Sequence, residues 1–269
     1  MVAGREPVRI FSVTLLSVNL NKVALIRNSR DTIIPSVLDA ARTCIKAGSS
    51  GITVHPRSDM RHIRPSDVYA LSAMLKEENP HIEFNIEGNP FAGPEEEYPG
   101  FLELVRSVQP AQCTLVPDDP TQLTSDHGWN LTAESDRLQP IVHELQSLGI
   151  RVSAFMEPDL VQIRLAQQIG IDRIELYTGP YAEAYVTSAR EEVFARFMKA
   201  AREAQEIGIG LNAGHDLNLD NLAHFCQVPN LSEVSIGHAI ISDALWMGLE
   251  RVVAAYRAIL DKTARQQQN

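Results

Sequence analysis

Eight short β-rich runs alternating with longer helical patterns predict an α/β fold, a single (β/α)8 TIM barrel with a closed, parallel, eight-stranded sheet. Three observations carry that expectation. Strands joined through helical crossovers pair in parallel. A chain of 269 residues is the size of one such barrel. Within the runs, apolar and polar residues alternate, so one strand face suits a helix layer and the other an enclosed polar space. The expected domain is residues 1–269 as a whole, with short flexible tails at either end.

In chain order, SVTLLSVN (12–19) turns Val18 outward and Ser17 and Asn19 inward, and GITVH (51–55) turns Ile52 and Val54 outward and Thr53 and His55 inward. IEFNIE (82–87) directs Ile82, Phe84 and Ile86 to the helices and Glu83, Asn85 and Glu87 to the axis. QCTLV (112–116) and RVSAFME (151–157) follow as β-rich runs, then RIELYT (173–178) with Glu175 inward between Ile174 and Leu176. GIGLNA (208–213) places Asn212 inward beside Leu211, and EVSIG (233–237) closes the set. Helical patterns are expected near 34–47, 66–78, 98–108, 132–148, 159–169, 188–207, 219–225 and 240–263. A structural barrel fills its interior with branched aliphatics. Here the lumen is expected to be polar, mostly at the C-terminal strand ends where barrel enzymes build their sites.

Composition narrows the function classes. With 44% apolar and 22% charged residues the chain reads as globular, and a net charge of −10 disfavours general nucleic-acid binding. No apolar run reaches the roughly 20 residues of a membrane span, and no secretory cleavage pattern follows the N-terminus, which points to a cytoplasmic protein. Cys44, Cys113 and Cys226 form no CxxC pair, and with no HxH or HExxH motif neither a disulfide framework nor a metal site is expected. Residues 1–64 hold ten Lys and Arg against four Asp and Glu, which suggests an anion site near the first loops.

The candidate chemistry collects at the mouth. His55, His215 and His238 fall on strand-end loops with His62 a little beyond, and histidine titrates nearest neutrality. Glu83 and Glu175 would lie inside the barrel, where desolvation raises a carboxyl toward a usable base. Anions have two candidate regions. The runs NAGHD and SIGHAI end strands seven and eight, where backbone N–H groups at a helix start make the usual barrel phosphate site. Arg27, Arg30, Arg57 and Arg61 form the second region. The residues alone imply a barrel enzyme that acts on small phosphorylated metabolites by acid–base chemistry.

The runs VNLNKVALIRNSR, GITVHPRSDMRHI, IEFNIEGNP, LVPDDPTQLTSDHGWNL, IELYTGPYA, GLNAGHDLN and SIGHAIISDAL, in this order, resemble the pyridoxine 5′-phosphate synthase family of deoxyxylulose-phosphate-dependent vitamin B6 biosynthesis. The resemblance runs from about Ser17 to Ala255. It implies a condensation of 3-amino-2-oxopropyl phosphate with 1-deoxy-D-xylulose 5-phosphate that releases phosphate and water, without metal or organic cofactor. It also implies a homo-octamer built from dimers. By position, His55 and Glu83 would accept protons, His215 would donate one and Glu175 would stabilise the transition state. The aminoketone phosphate would meet Asn19, Arg30, the backbone of Asp216, and Gly237 with His238. The deoxyxylulose phosphate would meet Asn21, Lys22, Arg57, His62 and Thr124.

Three departures from the family pattern stand out. Asn21-Lys22 replaces a common Asp-His pair, Asp216 stands where Gly is common, and GNPFAGPEEEYPG is a longer loop that reads as exposed and acidic. The segment 117–130 resembles a cover that closes over the site. Rival readings are another phosphate-binding barrel, an isomerase or synthase, and a catalytically silent metabolite-binding barrel.

Overall fold

The computed structural model describes residues 13–30, 32–119 and 121–268. Ser12 of the first expected strand and the expected N-terminal tail lie outside the described residues. The strands are β1 (Leu15–Asn19), β2 (Gly51–Val54), β3 (Glu83–Gly88), β4 (Gln112–Leu115), β5 (Arg151–Met156), β6 (Arg173–Tyr177), β7 (Gly210–Gly214) and β8 (Leu231–Ile236). Each pairs in parallel with the next, and β8 pairs with β1, so the sheet closes into the expected barrel.

The helices are α1 (Asn21–Asn28), α2 (Val37–Lys46), α3 (Pro65–Glu78), α4 (Phe101–Val108), α5 (Leu131–Ser147) and α6 (Leu160–Gln168), followed by α7 (Gly179–Ala184), α8 (Arg190–Ile207), α9 (Leu222–Phe225), α10 (His238–Met247) and α11 (Leu249–Gln268). Local chemistry sets several starts. The Ser36 hydroxyl accepts from Asp39 N–H to cap α2, Asp159 accepts from Val161 and Gln162 N–H to cap α6, and Pro65 opens α3 where no N–H is needed. Three elements differ from the sequence reading, among them the short α7, which falls before the expected helix at 188–207. The run NKVALIRN, left outside the expected helices and read only for its arginines, forms α1, because its Val23, Ala24 and Arg27 bury one face. The expected helix over 240–263 is two helices, since Gly248 takes φ +82°, which helical backbone cannot continue.

The hydrophobic core is the shell between strands and helices. Outward residues such as Val18, Ile52, Val54, Ile86, Ile174 and Leu176 are fully buried there. Inward residues form a hydrogen-bonded polar axis. Ser17 and Thr53 hydroxyls lie 2.7 Å apart, Thr114 donates to Asn85 at 3.1 Å, and Asn212 donates to Gln112 and Glu233 at 3.4 Å. The loop after β3 exposes Glu95, Glu96 and Glu97, as expected, but it is pinned rather than loose. Tyr98 is buried with its hydroxyl donating to Pro56 O at 3.1 Å, and Phe91 packs edge-on to Trp129 with the Arg137 guanidinium 3.9 Å from its ring centre.

Candidate active site

A cavity of about 360 Å³ opens at the C-terminal end of the barrel. It is lined by His55, His215, Glu175, Asn19, Asn21, Lys22, Arg57, His62, Thr124, Asp216, Gly237 and His238, which are all of the expected site residues except Glu83 and Arg30. Glu87, Ser235, Phe155, Ser125 and Arg61 also line it.

Glu83 is inward, as its alternation requires, but it begins β3 at the opposite end of the barrel. Four residues of strand, roughly 13 Å, separate it from Glu87. Its partner is Arg151 at the start of β5, which meets it in a two-pronged ion pair. Partial burial pushes the Glu83 carboxyl up, but the Arg151 hydrogen bond and charge prevail and hold it below its ordinary value. The β3 carboxylate that lines the cavity is Glu87, and Glu83 lies on the same face at the other end of the strand. Arg30 is exposed on the turn that ends α1 and does not line the cavity, because α1 carries it away from the loop that the sequence suggested. Arg27 is likewise turned aside, into an ion pair with Asp67 at 2.5 Å.

Around the mouth, backbone and side chains fix one another. Asn21 Oδ1 accepts from His55 N–H at 2.9 Å, so this departure from the family pattern holds β2's last turn in place. Asn19 and Asn85 donate to the two oxygens of Glu87 at 3.2 and 3.5 Å. Glu175 approaches β7 so closely that a Cβ on Gly214 would lie 2.2 Å from its Oε1, so any side chain there would displace the Glu175 carboxyl. His215 and Asp216 both take left-handed backbone, φ +87° and +57°. The buried Thr178 hydroxyl holds that turn by reaching the carbonyls of Gly214, at 2.7 Å, and His215. The imidazole of His215 stands edge-on to Tyr177 with Thr124 Oγ1 3.2 Å from its Nε2. Non-glycine residues in this conformation cost about 1–3 kcal/mol and concentrate at functional sites.

Electrostatics separates the groups by role. Burial pushes Glu87 up to about 7, His55 opposing and Glu233 and Asp118 adding to the shift. Burial, then the charges of Glu87 and Glu233, raise Glu175 well above the carboxylate range, so it is held as the neutral acid. Burial lowers His215, with Asp216 opposing and Lys22 and His55 reinforcing. His62 falls to about 3, through burial and then the charges of His55, Arg57 and Lys22. Its Nδ1 accepts from Ile63 N–H at 2.9 Å, so the neutral ring carries its proton on Nε2 as a donor.

Arginines tie the cover segment to the mouth. Arg57 donates to Gln122 O at 3.0 Å and Asp119 O at 3.4 Å, and Arg61 donates to Gln122 O at 2.9 Å. Asp118, on the same segment, contacts both His55 and Arg57. Sequence reading missed Asp118, although the PDD run directly after β4 was the available signal. Among the described residues no group of three or more His, Cys, Asp or Glu is placed to hold a metal ion, and no helix is long and apolar enough to cross a membrane.

Acids and imidazoles gathered inside one mouth, beside basic side chains and a helix start, define a barrel enzyme of the acid–base class. Within that class, residues 16–262 match the family described as Pyridoxal phosphate biosynthesis protein PdxJ, and the chain belongs to it. It is 54% identical over 248 residues to the pyridoxine 5′-phosphate synthase of Xanthomonas campestris pv. campestris (strain B100), covering 92% of this chain and 96% of that one. Identity is 53% over 246 residues to the enzyme of the same name from Xanthomonas oryzae pv. oryzae (strain MAFF 311018), covering 91% and 96%. The barrel also superposes on thiamine phosphate pyrophosphorylase from Pyrococcus furiosus with a TM-score of 0.58, covering 93% and 96% of the two chains, at 13% identity, a likeness of fold alone.

Proposed function

We infer that this barrel makes pyridoxine 5′-phosphate by condensing 3-amino-2-oxopropyl phosphate with 1-deoxy-D-xylulose 5-phosphate. The observation that carries the reading is that one cavity holds two arcs of anion donors with titratable groups between them. Lys22, at the start of α1, and Arg57, Arg61 and His62, on the loop after β2, form one arc. The turn at His215 and Asp216 and the start of α10 at Gly237 and His238 form the other. Two substrates that each carry a phosphate need both.

Residue roles follow from environment. His55 takes protons from the substrate carbons and amine beside it. Glu87 takes the base role first expected of Glu83, and at about 7 it exchanges a proton in either direction near neutrality. Glu175, kept neutral, donates a hydrogen bond to oxygen charge developing in the transition state. His215, lowered by burial, is the stronger acid once protonated and delivers its proton to a departing oxygen. Amine addition, water loss and ring closure each move protons, and a chamber covered by residues 117–130 excludes bulk water from them.

The enzyme acts as a homo-oligomer in the cytoplasm on this reading. The exposed Ile33, Ile34, Leu245 and Trp246 supply apolar surface for self-association. The direct test follows pyridoxine 5′-phosphate fluorescence from chelator-treated protein, with each substrate omitted in turn. Product is expected only when both are present; a folded protein that forms none would overturn the reading.

A further inference from the structure

Asp118 stands behind the reacting groups. It does not line the substrate cavity, whereas His55 and Arg57 do. It faces instead a second cavity of about 330 Å³ under the loop after β3, with Phe91, Pro94 and Tyr98. Its side chain is only 5% exposed, and one of its oxygens does double duty. Oδ2 lies 2.5 Å from Arg57 Nη2 and 3.2 Å from His55 Nε2. Burial pushes this carboxyl up, but the charge and hydrogen bond of His55 and then the charge of Arg57 outweigh it and keep it ionised.

A carboxylate oxygen shared between two donors holds each less strongly than it would hold one alone. The guanidinium has the shorter contact and the imidazole the longer. Arg57 also spends Nη1 on the carbonyls of Asp119 and Gln122, so both of its Nη groups are engaged by the cover segment. A phosphate dianion is a stronger bidentate partner for that fork than a shared carboxylate oxygen.

We propose that Asp118 is a positioning residue for His55 with Arg57 as its competitor: phosphate arriving at Arg57 draws the guanidinium off Oδ2 and leaves that oxygen to the His55 imidazole. Phosphate at Arg57 thereby strengthens the hold of Asp118 on the base. This rests on the reading that Arg57 meets the deoxyxylulose phosphate. It adds that Arg57 reports the phosphate to His55 through Asp118.

The test uses the full chain labelled with ¹⁵N-histidine and 1-deoxy-D-xylulose 5-phosphate alone, which binds without turnover. In the unsubstituted protein the His55 Nε2 resonance shifts on binding. The shift persists in Asp118→Glu and is lost in Asp118→Asn. Misorienting a reacting group costs on the order of 10²-fold, so kcat of Asp118→Asn falls by about that factor while KM for the sugar phosphate does not rise, and Asp118→Glu recovers part of kcat. A purely structural Asp118 would raise KM and leave the resonance response intact, and that result would overturn the proposal. Titration calorimetry on Arg57→Gln separates the premise from the coupling. Unchanged sugar-phosphate affinity in that variant would sink the reading of Arg57 itself. Weakened affinity with a His55 signal that never moved in the unsubstituted protein would sink only the coupling.

Discussion

Glu83 and Glu87 share one face of β3, carry the same functional group and meet opposite fates, because Glu83 finds Arg151 and Glu87 finds burial among other acids. Their amides therefore make a paired test. Glu87→Gln is expected to lower kcat by roughly 10²- to 10⁴-fold, the usual share of a general acid–base group. Glu83→Gln breaks a partly exposed pair, so it is expected to cost about 1 kcal/mol or less in thermal unfolding and to leave kcat within about tenfold. Steady-state kinetics and melting curves on both variants decide it, and the reverse ranking would return the base role to Glu83. Alternation made the face of each residue legible in the sequence. Height along the axis was not legible, because a period of two repeats identically up the strand and cannot say which glutamate reaches the mouth. Asp118 escaped for a different reason: it acts from a loop, where no period marks direction.

Elements set how the mouth is covered. The segment between β4 and α5 is fastened through its carbonyls, Arg61 and Arg57 both donating to Gln122 O, and it leaves Leu123 88% exposed at its tip. Hydrogen bonds from charged groups contribute about 1.5–3 kcal/mol each, less where solvent competes. Arg61→Ala is thus expected to speed chymotryptic cleavage after Leu123 by about tenfold or more, and both substrates' phosphates should slow it again. Cleavage at an unchanged rate would show that Arg61 does not restrain the cover. The alternation of strands and crossover helices fixed the barrel's order from sequence alone. Sequence reading lost the short α7 and, with more consequence, α1, whose exposed Leu25 and Ile26 blur its helical face. That loss misplaced Arg30.

The molecule as a whole holds its chemistry on an axis of buried acids. Glu233, on β8 between Asn212 and Gln112, rises from 4.5 to about 7, chiefly by burial, and Glu87 behaves alike. Between about pH 4.5 and about 7 the folded chain keeps protons that the unfolded chain has released, so stability is fullest below that window and falls as pH rises through it. For one such group the loss is about 3 kcal/mol at most. His62 and His215, held low, act in the opposite sense over part of this window, so the test is the difference between two proteins: from pH 5 to pH 8 the melting temperature of Glu233→Gln is expected to gain on that of the unsubstituted protein, and parallel pH profiles would refute it.

Among the described residues the same axis leaves three buried polar atoms, Gln112 Nε2, Ser153 Oγ and Glu175 Oε2, without a hydrogen-bond partner. A core cannot tolerate such atoms often, yet this barrel does, because the oil that holds it together lies elsewhere, in the shell between strands and helices. The scaffold has two insides with separate duties. Selection can rewrite the wet one, exchanging acids and amides for other chemistry, while the dry one keeps the chain folded, and that division is what makes such a barrel evolvable.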